Sequence, residues 1–134
     1  ITEFVKDAKE KIKLKSPGLI ISAAVKPNIY DAKLLFFQEW DLWLSAGYID
    51  WAVPMNYMVD NDDFIQNMYM IKDNLPVKYH NQIVVGISTY NQSAKSAGKK
   101  ILRLKKMQFS NISIFSYSEF VKNPYYWKKL KKYF

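Results

Sequence analysis

Four short apolar runs, each followed by a segment with helical periodicity, constrain the fold more than any other feature of this sequence. The runs cover residues 19–25, 48–56, 82–87 and 111–117. Runs that are apolar at nearly every position are typical of parallel strands covered on both faces. Strands that alternate with helices over short connections predict a parallel α/β arrangement with right-handed crossovers.

The segments between these runs carry the start and stop signals of helices. In the first of them, Asp31 opens a helix and Gly47 ends it. Phe36, Trp40 and Trp43 recur at helical spacing, so we expect them to form its buried stripe. The sequence therefore predicts one continuous helix between the first and second strands.

The number of strand and helix units indicates half of a larger fold. No glycine-rich phosphate loop follows any strand, which disfavours a nucleotide-binding open sheet. A complete (β/α)8 TIM barrel takes about 250 residues, whereas this chain has 134. The chain also begins with Ile1 rather than Met. We therefore expect residues 1–134 to be a single partial domain, half of a (β/α)8 barrel, whose other half is absent.

Composition excludes several classes of function. There is no cysteine, so a thiolate metal site cannot be assembled. The single histidine, His80, falls between a predicted helix and a predicted strand, away from the functional ends of the strands, which argues against a Ser-His triad. We expect no metal and no cofactor. The net charge is +8, but only one arginine occurs, which argues against nucleic acid as a partner. No apolar run is long enough for stable membrane insertion.

The segment 126–134 alternates aromatic residues with lysines. Such a pattern suits a helix that lies on an anionic membrane or on an acidic polymer. It also suits the closing helix of a barrel, with a lysine-coated outer face, and we favour this second interpretation.

Polar side chains stand where the predicted strands end, which is where α/β barrels place their functional groups. Asn56 and Tyr57 end the second strand, and their amide and phenol suit the hydroxyl groups of a sugar. Tyr90, Tyr117 and Asn28, which follow the other strands, are weaker candidates for the same role.

Several motifs resemble the C-terminal half, strands five to eight, of glycosyl-hydrolase-like barrels related to family 10 glycoside hydrolases. Residues 21–25 resemble the fifth strand of that family, and residues 40–50 resemble its W-x-x-W-x-x-x-G-x-x-D run into strand six. Residues 54–57 resemble the end of strand six, and residues 115–117 the end of strand eight. Family 18 chitinases share a similar fifth strand and an M-x-Y motif, but Met58 stands where those enzymes carry Asp.

The resemblance implies a protein that binds or hydrolyses a carbohydrate polymer, and it favours a secreted or cell-envelope location. In the family, the main catalytic carboxylate is at the end of strand four, which would precede Ile1. Glycoside hydrolysis needs two carboxylates, and Glu119 and Asp60 are the candidates within this chain. The alternatives are a carbohydrate-binding barrel without catalytic acids and a family 18 chitinase-like hydrolase. Because half a barrel leaves open sheet edges, self-association is a further expectation.

Overall fold

The structure, a computed structural model, describes residues 1–134 as an alternation of helices and short parallel strands. The α-helices are α1 (Thr2–Lys15), α2 (Ile29–Phe36), α3 (Trp40–Ser45), α4 (Asn61–Asn74), α5 (Ala94–Lys106), α6 (Ser118–Lys122) and α7 (Pro124–Leu130). The strands are β1 (Ser22–Val25), β2 (Trp51–Pro54), β3 (Val85–Ser88) and β4 (Ile112–Phe115). Two 3-10 helices, Val77–Gln82 and Lys131–Tyr133, complete the chain.

The strands form two separate two-stranded sheets. In one sheet β1 pairs with β2, and in the other β3 pairs with β4, both in parallel. Only two isolated bridges, Ala52 to Ile83 and Met55 to Gly86, connect β2 with the segment that contains β3. The predicted half of a (β/α)8 TIM barrel is therefore wrong, because the chain is a small, mainly helical α/β domain without a continuous four-stranded sheet.

Pro54 gives the physical reason for the division of the sheet. The N–H groups of Trp51 and Met55 donate to carbonyls on the β1 side, whereas Ala52 accepts from the N–H of Val84 on the β3 side, at 2.9 Å. Because N–H directions alternate along a strand, the group at position 54 faces β3. Proline has no N–H to donate, so the ladder between β2 and β3 is interrupted there.

The single helix predicted between Asp31 and Gly47 is broken into α2 and α3. Phe37 adopts a left-handed conformation with φ of 54° and ends α2. The indole N–H of Trp40 donates to the backbone carbonyl of Lys26 at 3.1 Å, which fixes the start of α3 beside the end of β1. Trp40 is buried as expected, whereas Phe36 is 42 % exposed.

One apolar core lies between the two sheets and the helices that cover them. Helix α4 supplies Phe64, Met68 and Ile71, and helix α5 supplies Ala97, Ile101 and Leu104. All four residues of β3 are buried, so this strand is the most enclosed of the four. This packing holds the carboxyl ends of the strands, and the loops that follow them, at one edge of the molecule.

Candidate functional site

Three aromatic residues, called here the aromatic cluster, meet at the carboxyl ends of β2, β3 and β4: Tyr57, Tyr90 and Phe115. The Tyr57 and Phe115 rings stack with centroids 5.6 Å apart and planes 11° apart. Tyr90 meets both rings edge-on, at 6.2 Å from Tyr57 and 6.1 Å from Phe115. Tyr90 and Phe115 are each 51 % exposed, so the cluster presents ring surface to a ligand.

The surroundings of Tyr57 determine the position of its ring and keep its phenol protonated. A Cβ atom at Gly86 would lie 3.3 Å from the Tyr57 ring and 3.0 Å from the carbonyl oxygen of Pro54, so glycine permits this close approach. The side-chain amide of Asn91 donates to the Tyr57 carbonyl at 3.1 Å. Burial, followed by the neighbouring Tyr90, raises the pKa of Tyr57. Its phenol is therefore neutral at physiological pH and keeps a proton to donate.

A pocket of about 560 Å³, called here the strand-end pocket, opens between the ends of β1 and β2. It is lined by Lys26, Pro27, Asn28, Asp31, Phe36, Met55, Tyr57, Met58 and Asn67. Its volume lies within the range of small-ligand sites, about 300 to 1,000 Å³. Tyr57 belongs both to this pocket and to the aromatic cluster, so the two features adjoin.

The polar groups of the strand-end pocket differ in what they offer a ligand. Lys26 lies over the Phe36 ring, with its ammonium 4.3 Å from the ring centroid, and makes no ion pair. Asp31 is exposed and also makes no ion pair. The Asn28 side-chain oxygen caps α2 by accepting from two backbone N–H groups, which leaves its amide nitrogen for a ligand. Asn67 donates to Asn56 and keeps its own oxygen available.

Asn56, predicted as a ligand contact, is completely buried. Its amide nitrogen donates to the Phe64 carbonyl at 2.8 Å, and its oxygen accepts from Asn67 at 3.1 Å. The side chain therefore points toward α4 rather than into the pocket. Its role in this structure is to orient Asn67, which does line the pocket.

Asp60, predicted as a catalytic carboxylate, is the N-cap of α4. Its side chain accepts from the backbone N–H groups of Asp62 and Asp63, at 2.7 and 3.1 Å. These bonds lower the pKa of Asp60, and the nearby Lys100 acts in the same direction. Asp62 and Asp63 stand in the first turn of the helix. Asp60 is thus an ionised structural cap and does not line the strand-end pocket.

Glu119 and Tyr117 lie away from the strand-end pocket, on and before α6. Glu119 forms an ion pair of 3.2 Å with Lys122, three residues further along the helix. Tyr117 is 76 % exposed, and its ring meets Phe120 edge-on at 6.4 Å. The structure therefore brings Asn28, Tyr57 and Tyr90 to one edge and leaves Tyr117 and Glu119 at another site.

Lys100 is the most unusual charged residue of the molecule, and the sequence interpretation missed it. The side chain is completely buried, and its ammonium donates to the carbonyls of Met58 and Val59 and, at 2.8 Å, to the Gln92 side chain. Burial lowers the pKa of Lys100, whereas Asp60 raises it. Lys100 thus ties α5 to the loops after β2 and β3, which carry Met58 and Gln92.

A signal for Lys100 was present in the sequence. It follows Ala97 by three residues and precedes Leu104 by four, so it lies on the apolar stripe of α5. A lysine on such a stripe must either find buried acceptors or extend to the surface. The pocket residues Lys26, Asp31, Phe36 and Asn67 gave no comparable signal, because only the packing of α2 and α4 brings them together.

Two further observations concern metal ligands and membrane-spanning helices. No group of three or more histidine, cysteine or acidic residues is placed to hold a metal ion. None of the helices is long and apolar enough to span a membrane.

Comparison with known proteins gives no match. No protein-family model, curated protein or solved structure matches the chain. The resemblance to glycosyl-hydrolase-like barrels therefore stays an untested prediction.

Proposed function

We propose that this protein binds a carbohydrate in the strand-end pocket, with the aromatic cluster extending the contact surface. The observation that carries the proposal is the pocket lining, in which a free ammonium, a free carboxylate and two side-chain amides surround exposed aromatic ring surface. We infer binding and do not include hydrolysis in the proposal.

Sugar hydroxyl groups both donate and accept hydrogen bonds, so they use complementary partners of both kinds. Lys26 offers only donors and Asp31 only acceptors. Asn28 keeps its side-chain amide nitrogen as a donor, and Asn67 keeps its side-chain oxygen as an acceptor. The apolar face of a pyranose ring suits the aromatic surface that Phe36 and Tyr57 contribute to the pocket lining. A purely apolar ligand would leave the ammonium and the carboxylate unpaired, which is unfavourable.

Hydrolysis stays a prediction that the pocket does not support. Neither Asp60 nor Glu119 lines it. Asp60 is held ionised by the helix that it caps, so it is unsuited to act as a general acid. The same argument applies to a family 18 chitinase-like activity.

Saturation-transfer difference NMR with oligosaccharides of glucose, xylose and N-acetylglucosamine tests the proposal. We expect transfer to at least one of them. We also expect Asp31→Ala to raise its Kd by about tenfold or more, because a charge-assisted hydrogen bond is lost. Phe36→Ala is expected to weaken binding through loss of ring contact.

Two substitutions serve as matched controls. Asp73 is exposed and Leu35 is 66 % exposed, and neither lines the strand-end pocket. Asp73→Ala and Leu35→Ala should leave the Kd unchanged. Absence of saturation transfer to all of the sugars, or equal losses of affinity in the control and pocket variants, would remove the strand-end pocket as a carbohydrate site.

A further inference from the structure

The charge of the molecule is concentrated in one part of the chain. Residues 94–134 contain 11 of the 20 basic residues and a single acidic residue, Glu119. Residues 1–93 contain the other 9 basic residues and 11 acidic residues. The net charge of +8 therefore arises entirely from α5 and the elements that follow it.

The fold turns the lysines of α7 and the last 3-10 helix outward. Helix α7 buries Tyr126 and Leu130 and packs on α5. The remaining positions of this region carry four exposed lysines: Lys128, Lys129, Lys131 and Lys132. None of the four forms an ion pair, so their charges are available to an anionic partner.

Three aromatic rings of the same region contact one another. Trp127 contacts Phe120 on one side, at 5.5 Å, and Phe134 on the other, at 6.0 Å. Trp127 and Phe134 are 44 % and 55 % exposed. Together with Tyr117 and Pro124, Phe120 and Trp127 also line an open recess of about 430 Å³. We call Phe120, Trp127, Phe134 and the four lysines the aromatic–lysine face.

We propose that the aromatic–lysine face binds peripherally to the surface of an anionic phospholipid bilayer. Clustered lysines are attracted to the negative surface potential of such a bilayer. Tryptophan and phenylalanine insert between headgroups, where one part of the ring is in contact with apolar chains. Binding of this kind needs no membrane-spanning helix, since the face lies in the plane of the interface.

Nucleic acid fits the same face less well. The Trp127 ring is inclined to Phe120 by 55° and to Phe134 by 47°, so the three rings form no flat platform on which successive bases could stack. The only arginine, Arg103, lies on α5 and pairs with Asp62 at 3.5 Å. The face therefore lacks the guanidinium groups that base and phosphate recognition favours.

Vesicle co-sedimentation of the whole chain tests the charge part of the proposal. We expect binding to vesicles of equal parts phosphatidylcholine and phosphatidylserine that is about tenfold or more stronger than binding to phosphatidylcholine alone. Changing Lys128, Lys129, Lys131 and Lys132 to Gln should remove this difference. The matched control changes Lys6, Lys9, Lys11 and Lys15 of α1 to Gln, which alters the net charge equally on another element and should leave binding intact. Circular dichroism melts of both variants verify folding.

Quenching of tryptophan fluorescence by brominated lipid tests the orientation. We expect quenching in the original chain and its loss in Trp127→Phe, which keeps ring contact and binding but removes the indole from the face. Trp51 is 42 % exposed and lies on β2, outside the aromatic–lysine face, so its fluorescence serves as the internal reference. The proposal is overturned if anionic vesicles do not bind, if both lysine variants lose binding equally, if quenching persists in Trp127→Phe, or if single-stranded DNA binds and vesicles do not.

Discussion

At the scale of single residues, Lys100 shows how a buried charge can organise the surroundings of a site. Three acceptors surround its ammonium, from Met58, Val59 and Gln92. Such a group is tolerated in the interior because its hydrogen bonds offset much of the loss of hydration. Removing it would leave these acceptors without a partner.

We predict that Lys100→Met lowers the free energy of unfolding by about 1 to 3 kcal/mol, the usual effect of unsatisfied buried acceptors. Urea denaturation measures the change. Lys99→Met is the matched control, because Lys99 is exposed one position earlier on the same helix. Equal stability of the two variants would show that the buried ammonium does not hold the loops.

The raised pKa of Tyr126 is expected to make the stability of the protein depend on pH. Burial, followed by the nearby Glu119, raises the pKa of Tyr126 to about 12 from 10.0. The unfolded chain therefore loses this proton first, so the stabilising contribution is complete below pH 10.0 and is lost as the pH rises toward 12. We expect a loss of about 2 to 3 kcal/mol over that interval.

Thermal or urea unfolding between pH 9 and 12 measures this loss, with Tyr126→Phe as the comparison. The variant lacks the hydrogen bond to the Gln92 carbonyl, at 3.0 Å, and is expected to be less stable near neutral pH. Its stability should fall less steeply in alkali. Parallel curves for the two proteins would contradict the assignment to Tyr126.

At the scale of secondary-structure elements, Gly98 decides how α5 packs on the end of the chain. A Cβ atom added there would overlap the ring of Tyr133 in the last 3-10 helix. Glycine in a helix costs about 1 kcal/mol relative to alanine. The packing of the Tyr133 ring against Gly98 therefore offsets the low helix propensity of glycine at this position of α5.

We predict that Gly98→Ala destabilises the protein by about 1 to 3 kcal/mol, because the Tyr133 ring must move. In a Tyr133→Ala background, where the space is open, the same substitution should instead stabilise the helix by up to about 1 kcal/mol. A double-mutant cycle by urea denaturation measures this reversal of sign. The same sign in both backgrounds would exclude the contact as the cause.

At the scale of the whole molecule, Pro54 divides what would otherwise be a continuous parallel sheet. It stands where β2 would donate to β3, and the two sheets meet only at isolated bridges. The outer edges of β1 and β4 are also unpaired, since each strand has a partner on one side only. Self-association through these edges stays a prediction.

We predict that Pro54→Ala creates a protected backbone amide at position 54, because the new N–H faces the carbonyls of the β3 segment. Hydrogen exchange followed by NMR measures the protection. The amides of the exposed residues Met58 and Val59, in the loop after β2, serve as a fast-exchanging reference. Exchange at position 54 as fast as in that loop would show that proline is not what separates the sheets.

The sequence by itself determined the alternation of helices and strands, because hydrophobic periodicity and capping residues act locally. Each strand of the structure overlaps one predicted apolar run, and the ends of β2 and β3 bring Tyr57 and Tyr90 together, near Asn28. The expected half barrel did not take Pro54 into account, although a proline inside a strand argues against a continuous central strand.

Only the tertiary structure decided which polar groups are available to a ligand. Asn56 and Asp60 both stand where the sequence suggests a contact with a ligand. Instead, the Asn56 amide donates to a carbonyl within α4, and the Asp60 carboxylate caps the start of the same helix. The strand-end pocket and the burial of Lys100 arise from contacts between residues far apart in the chain. Such contacts depend on how helices pack across the sheets, and hydrophobic periodicity along a single segment carries no information about that packing.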